Sequence, residues 1–202
     1  MANSENLQLL ASINVKNRLG EGIFWHAASS SVWWTDIHGQ ALFQLRWPEQ
    51  TLRQWPLPER ISCFTLLNAT DPMASRYSLL VAFASGLALY NPDSGAILWL
   101  AKPQQQLSGN RFNDGRVDRQ GRFWAGTMVE QATADNAASG SLYRLDQQGC
   151  QQMLSGLRIP NALCWNHDSS LMYHADSPLR QIDRYRFDAA SGDIGRAEPC
   201  AT

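Results

Sequence analysis

The sequence repeats itself four times, and this repeat restricts the possible folds more than any other feature of the chain. Four segments each read as two strands joined by a tight turn rich in Pro, Asp, Gly and Ser, which are typical hairpin residues. These segments are LFQLRWPEQTLRQWPL, LALYNPDSGAILWL, LYRLDQQGCQQML and IDRYRFDAASGDIGRA. An apolar, aromatic strand precedes each hairpin, at residues 32–36, 78–83, 122–126 and 171–176.

A further short extended segment precedes each of these strands, so the repeating unit has four antiparallel strands. IFW, RVD and ALCW are clear examples, and residues 61–67 take the same place in the second unit. A period of about 43–50 residues is typical of β-propeller blades. A β-sandwich of short strands is the alternative, but the regular period favours the propeller. We therefore predict an all-β propeller with about four four-stranded blades, whose inner strands start near Ile23, Ile61, Arg116 and Ala162.

The first and fourth units align without a gap, which identifies equivalent positions in the repeat. EGIFWHAASSSVWWTD at 21–36 matches NALCWNHDSSLMYHAD at 161–176. Glu21 and Asn161 therefore share one position just before the inner strand, and the same offset in the third unit leads to Arg111. Equivalent positions in a propeller are related by rotation about its axis, so we expect these side chains to converge at one mouth of the channel.

A carboxylate and an amide oxygen that converge at such a mouth could bind a metal ion. These are hard ligands suited to Ca²⁺, Mg²⁺ or Mn²⁺, and they are tolerable for Zn²⁺. The alternative is that Glu21 and Asn161 are turn residues that make local hydrogen bonds, because two ligands alone do not define a metal site.

The third unit contains a stretch of alternating polar side chains, RFNDGRVDRQGRFWAGTM at 111–128. The fork of donors on Arg and the mixed donor and acceptor of Asn suit an oxygen-rich small molecule. Gly115 and Gly121 predict turns on either side of a short extended segment. A polar loop followed by a buried strand is the alternative interpretation.

Three motifs in the same order resemble the SMP-30/gluconolactonase family, which includes regucalcin. They are LGEG at 19–22, the stretch at 111–128, and IPNAL at 159–163. The resemblance extends over residues 18–187 and implies a six-bladed propeller with a divalent metal ion at the channel mouth. Members of the family hydrolyse sugar lactones, so the resemblance also implies a small sugar lactone as the substrate.

The resemblance implies roles for individual residues. Glu21 and Asn161 would be metal ligands, with Ca²⁺ or Zn²⁺ expected before Mg²⁺ or Mn²⁺. Arg111 and Asn113 would bind the hydroxyls and ring oxygen of the substrate, and residues 129–139 would form a loop beside it. Some members carry a substrate-contacting Glu where this chain has Gln131, with Glu130 next to it.

The family's general base is an Asp in the following blade, where it also completes the metal site. Adding the period to Asn161 places this position at about 204–211, after Thr202. We therefore assign no catalytic residue within the chain, and expect residues 1–202 to form a single, C-terminally incomplete propeller domain. A non-catalytic binding propeller, or an inactive fragment without the last ligand and base, is the rival hypothesis.

An incomplete ring would leave apolar blade faces open, so we expect self-association. Residues 7–15 are predicted to be a strand that pairs with the last blade, held loosely without it. A net charge of -1 gives no argument for a nucleic-acid partner or an anionic membrane. The first ten residues lack signal-peptide features, so we expect a cytoplasmic protein whose four cysteines are buried, reduced thiols.

Overall fold

A computed structural model describes residues 8–201 of the chain, which form four separate four-stranded antiparallel sheets. In each sheet the strands follow one another in chain order, from the innermost to the outermost. The predicted all-β propeller and its four four-stranded blades are confirmed. Among the described residues no helix is long and apolar enough to cross a membrane.

The strand boundaries follow the sequence repeat. Blade one contains β1 (Gly20–His26), β2 (Ser31–Asp36), β3 (Ala41–Arg46) and β4 (Thr51–Pro56). Blade two contains β5 (Ile61–Leu66), β6 (Leu79–Phe83), β7 (Leu87–Tyr90) and β8 (Ile97–Ala101). Blade three contains β9 (Asn110–Val117), β10 (Phe123–Val129), β11 (Gly140–Asp146) and β12 (Gly149–Leu157). Blade four contains β13 (Pro160–Trp165), β14 (Leu171–Asp176), β15 (Gln181–Phe187) and β16 (Ile194–Ala201).

Three apolar layers join the blades face to face. The layer between blades one and two includes Trp33, Trp55 and Phe83, and the layer between blades two and three includes Phe112 and Phe123. The layer between blades three and four is built around Trp124, Met172 and Phe187. Neighbouring blades bury apolar side chains against each other in these layers, so they stabilise one another.

The outward face of blade one carries a fourth, smaller apolar cluster of Trp34, Ala41 and Phe43. An open groove of ≈ 710 Å³ lies over this face, between the blade and the segment of residues 8–17. This segment forms no strand over residues 8–15, and its Leu9 side chain is 82% exposed. The predicted strand at 7–15 is therefore not formed in its described part, and Leu7 lies outside the described residues.

Each innermost strand carries one extra residue, in a bulge, relative to the strand beside it. Two residues of β1, Gly22 and Ile23, lie between Glu21 and Phe24, where only Trp34 lies between their partners Thr35 and Trp33 on β2. Similar register shifts occur in β5, β9 and β13. A bulge of this kind bends a strand and redirects its side chains.

The third inner strand departs from the prediction in two respects. β9 begins at Asn110 and not near Arg116, so the polar stretch is part of the strand. Gly115 is not a turn residue, because it pairs with Ala125 inside β9. A Cβ at Gly115 would collide with the Trp124 carbonyl oxygen and come within 2.6 Å of the Cys63 sulfur, so close approach of neighbouring strands requires glycine here. Gly121 does lie in a turn, with φ of 87°.

Two aspartates hold the chain where it approaches an inner strand. Asp36 accepts hydrogen bonds from the backbone N–H groups of Arg18 and Leu19, both at 2.9 Å. Asp176 accepts equivalent bonds from Arg158 at 2.9 Å and Ile159 at 2.7 Å. Blades one and four, which align without a gap, thus share an Asp that accepts two backbone hydrogen bonds. These bonds position the residue that starts each inner strand.

All four cysteines are free thiols, as predicted, but their predicted burial is only partly correct. Cys63 is buried and Cys150 is half-buried, whereas Cys164 and Cys200 are exposed. Cys164 alternates with the buried Leu163 along β13, so its side chain lies on the other face of that strand.

The bulge of blade four predicts an effect on stability. Ala162 has φ of 57°, whereas Gly22 has φ of 64° at the equivalent bulge position of blade one. Ala162→Gly should raise the free energy of unfolding by about 0.5–1 kcal/mol, because glycine adopts this conformation without strain. Urea denaturation measures the change. Ala197→Gly, at an exposed position in β16, is the control and should lower stability by a similar amount. Equal effects of both substitutions would contradict the account.

The outward face of blade one predicts concentration-dependent self-association. Ile23 and Trp25 are 66% and 52% exposed along its apolar groove. Ile23→Ser should increase the monomer fraction measured by light scattering. Leu52→Ser, at a position that is 41% exposed on the outer strand β4, should leave it unchanged. A monodisperse monomer at every concentration before substitution would contradict this expectation.

Candidate functional site

Each inner strand carries one candidate site position directly before or within its bulge. In blade one it is Glu21, which follows the Gly20–Asp36 pair. In blade four it is Asn161, which follows the Pro160–Asp176 pair. The predicted equivalence of Glu21 and Asn161 is therefore confirmed by the strand register.

In blade three the residue that contacts Asn161 is Asn113 and not Arg111, so the predicted offset is wrong there. Asn113 is the first residue of the bulge, after the Phe112–Thr127 pair, whereas Glu21 pairs with Thr35 directly before its bulge. Arg111 pairs with Met128, one position outside the Phe112 pair. The connection between β9 and β10 differs in length from the connection between β1 and β2. Counting residues without gaps does not detect this difference, so it misplaces the equivalent position in blade three. Ser62 occupies the corresponding position in blade two, after the Ile61–Phe83 pair.

Glu21 and Asn161 line one cavity of ≈ 500 Å³ that opens at the inner strands. Asp114 lines the same cavity. It is the second residue of the bulge in blade three, between the paired residues Phe112 and Gly115, and no signal in the sequence distinguishes it from its polar neighbours. The cavity thus collects two carboxylates and an amide from three blades.

The electrostatics of this cavity favour a cation. Burial raises the pKa of Glu21 above its usual value, and the negative charge of Asp114 raises it further. Two carboxylates that repel each other in a partly enclosed space are stabilised by a positive charge between them. Among residues 8–201, however, no cluster of three or more His, Cys, Asp or Glu side chains is arranged to hold a metal ion.

The mouth residues of blades two and three link neighbouring inner strands. The Ser62 hydroxyl donates to the backbone carbonyl of Phe112 in the next blade. Asn113 Nδ2 donates to the Pro160 carbonyl and to Asn161 Oδ1, both at 3.1 Å. Asn113 therefore orients Asn161 directly, in addition to any contact it makes with a ligand.

Asn161 is held from its other side as well. Its Nδ2 donates to the Ser177 hydroxyl at 2.8 Å. These two contacts fix the amide so that the oxygen faces Asn113, and such neighbours tune a candidate metal ligand.

Arg111 is joined to the mouth through Asn113. Its Nη1 donates to Asn113 Oδ1 at 3.0 Å and to the Phe112 carbonyl at 2.8 Å. Its Nε donates to Glu130 Oε1 at 2.9 Å. The structure therefore brings Arg111, Asn113 and Asn161 into one hydrogen-bonded row. Of these three, Asn161 lines the cavity that also contains Glu21 and Asp114.

Glu130 has a role that the sequence did not indicate. It pairs with Arg111 and Arg60, while its neighbour Gln131 is exposed. Hydrogen bonds from Arg60 lower the pKa of Glu130 to about 2, with burial acting in the opposite direction and Arg111 adding to the lowering. Arg60 comes from blade two and is distant in sequence, which explains why no local pattern revealed the pair.

Four consecutive four-stranded blades, with a cavity lined by their inner strands, define a β-propeller. Residues 19–202 match the family described as SMP-30/Gluconolactonase/LRE-like region. The chain belongs to this family.

Similar proteins include enzymes that act on lactones by name. The chain is 34% identical over 171 residues to L-arabinolactonase of Azospirillum brasilense, covering 84% of this chain and 54% of that protein. It is 30% identical over 181 residues to regucalcin of Oryctolagus cuniculus, covering 87% of this chain and 57% of that protein. The crystal structure of regucalcin from Agrobacterium tumefaciens, described as a calcium-binding protein, has a TM-score of 0.80 and 28% identity, and covers 91% of this chain and 59% of that one.

The chain thus spans a little over half the length of these relatives. The similarity establishes the family and the fold of residues 19–202.

The raised pKa of Glu21 predicts that this residue destabilises the protein when no cation is bound. Its charged form is disfavoured in the folded state, so the penalty is present above the raised pKa and disappears below the ordinary pKa of an unfolded Glu. In a chelator at pH 7, Glu21→Gln should raise the melting temperature by about 1–3 °C, and at pH 3.5 the gain should vanish. Calorimetry measures this difference.

The control for this prediction is Glu49→Gln, an isosteric change at an exposed turn residue. It should leave the melting temperature unchanged at both pH values. A loss of stability on Glu21→Gln at pH 7 in chelator would show that the carboxylate makes favourable contacts there.

Proposed function

We propose that this chain carries the site of a divalent-cation-dependent hydrolase that opens a sugar aldonolactone to its aldonic acid. The observation that supports this most directly is the shared cavity of Glu21 and Asn161, with Asn113 bonded to Asn161. The reaction needs a bound cation and an oriented polyhydroxyl substrate. The oxygen ligands of this cavity match the first need, and the adjoining row of Arg111 and Asn113 matches the second.

Glu21 and Asn161 would hold the cation, one as a charged and one as a neutral oxygen ligand. The oxygen-only set and the repulsion between Glu21 and Asp114 fit a hard cation, so Ca²⁺ suits the site better than Zn²⁺, and Mg²⁺ or Mn²⁺ suit the same donors. A bound divalent cation supplies Lewis-acid polarisation of a carbonyl group.

Arg111 and Asn113 would orient the sugar ring. Arg111 is fixed by bonds to Glu130, Phe112 and Asn113, so its guanidinium is already positioned before a ligand binds. Fixed positioning contributes to the rate because a displacement of about 1 Å can cost about a hundredfold. The names of the lactonase relatives support a sugar lactone as the substrate class. The cytoplasmic location stays an expectation from the sequence.

Two substitutions separate cation binding from substrate binding. Glu21→Gln should lower Ca²⁺ affinity by about tenfold or more, because it removes one charge from the ligand set. Arg111→Ala should leave cation affinity nearly unchanged but raise KM for the lactone by about tenfold, because its side chain orients the sugar. Titration calorimetry and an assay with aldonolactones on the same protein measure both.

Glu49→Gln and Arg53→Ala, at exposed positions of blade one, are the matched controls. Loss of cation binding in Arg111→Ala would contradict this division of roles.

A non-catalytic binding propeller is the second candidate. It is favoured by the small ligand set, because among residues 8–201 no third acidic, His or Cys side chain joins Glu21 and Asp114 in a group that could hold a metal ion. Hydrolysis above background by the 202-residue chain would place the base within it, where Asp114 is the carboxylate that faces the cavity. Cation binding without hydrolysis, in a longer chain that carries an Asp at the expected position, would instead support the binding propeller.

A further inference from the structure

Glu130 lies between two arginines, Arg60 and Arg111. Arg60 approaches it with both terminal nitrogens, Nη1 at 2.6 Å from Oε1 and Nη2 at 2.7 Å from Oε2. Arg111 Nε lies 2.9 Å from Oε1. Three charge-assisted hydrogen bonds therefore fix one carboxylate, and such bonds are stronger than neutral ones.

The three residues come from places that the fold brings together. Arg60 precedes β5 of blade two, Arg111 lies in β9, and Glu130 follows β10 of blade three. Because Arg60 holds both carboxylate oxygens, Glu130 cannot rotate freely, and its Oε1 stays directed at Arg111. The two hydrogen bonds from Arg60 thus determine where Glu130 binds Arg111.

Arg111 is consequently held along one edge of its guanidinium. Nε is bonded to Glu130, and Nη1 to the Phe112 carbonyl and Asn113 Oδ1. Its side chain is 7% exposed. Among the described residues Nη2 makes no hydrogen bond, so this donor remains for a ligand.

We propose that Glu130 is a positioning residue, which together with Arg60 sets the orientation of Arg111 and so directs its remaining donor to the hydroxyls of the sugar. The inference rests on the proposed function, since it takes Arg111 as the substrate-binding residue. Glu130 acts through Arg111 and does not touch the substrate. The competing possibility is that the triad only ties blade two to blade three.

The kinetic test uses Glu130→Gln, which is isosteric but removes the charge. We expect KM for an aldonolactone to rise about 5–20-fold while kcat changes by less than about threefold, because orientation of the bound sugar is what is lost. Glu130→Asp keeps the charge and should recover most of the loss. Arg60→Gln should raise KM in the same direction by a smaller factor.

A double-mutant cycle separates positioning from blade packing. If Glu130 acts through Arg111, adding Glu130→Gln to Arg111→Ala should raise KM by less than about twofold beyond Arg111→Ala alone. A structural effect on the blades would add to the Arg111→Ala effect in full. Glu198→Gln, which breaks the Arg184–Glu198 pair on blade four, is the control and should leave KM unchanged.

Nuclear magnetic resonance gives a readout that needs no turnover. The Nε–H signal of Arg111, assigned by its loss in Arg111→Lys, should exchange with solvent at least about tenfold faster in Glu130→Gln. Faster exchange together with the KM increase supports the inference. Unchanged KM and unchanged exchange in Glu130→Gln would overturn it, as would a full additive effect in the cycle.

Failure of the underlying function is distinguishable. If Arg111→Ala leaves KM unchanged, or the unsubstituted protein neither binds nor hydrolyses aldonolactones, Arg111 does not hold a sugar lactone. In that case the proposed function fails and the inference fails with it. If Arg111→Ala raises KM but Glu130→Gln does not, only the positioning role fails.

Discussion

The extra residue in each inner strand is the constraint on which the site depends. It occurs in all four inner strands, and a bulge of this kind bends a strand and redirects its side chains. The bulges of blades one and four require a left-handed backbone conformation at Gly22 and Ala162. Because this constraint is repeated in every blade, the fold generates a set of converging positions before any residue type is specified.

Residue identity then divides these positions between two uses. Ser62 and Asn113 donate to the backbone of the next blade and so stabilise the ring. At Glu21, by contrast, partial removal from solvent and then the negative charge of Asp114 raise the pKa of the carboxyl group. A carboxylate whose charged form is disfavoured in this way is typical of binding sites, where stability is exchanged for function.

The repeat predicted the fold because hairpins and alternating apolar strands are local patterns. It also placed Glu21 and Asn161 correctly, since both follow a pair fixed by an equivalent Asp, Asp36 or Asp176. It failed at Arg111 because the register of blade three shifts by one residue. The roles of Glu130 and Asp114 could not be predicted, since each has a partner in another blade. The polar residues of β9 also do not indicate a strand when their neighbours in other blades are unknown.

Anomalous diffraction from crystals soaked in Mn²⁺ tests the central claim, that the equivalent mouth positions form one cation site. The account predicts a single strong peak in the shared cavity, within bonding distance of the Glu21 carboxylate and of Asn161 Oδ1, and its loss in Glu21→Gln. A peak bound by Asp114 without Glu21, or no peak in this cavity at saturating Mn²⁺ with the blades intact, would contradict it.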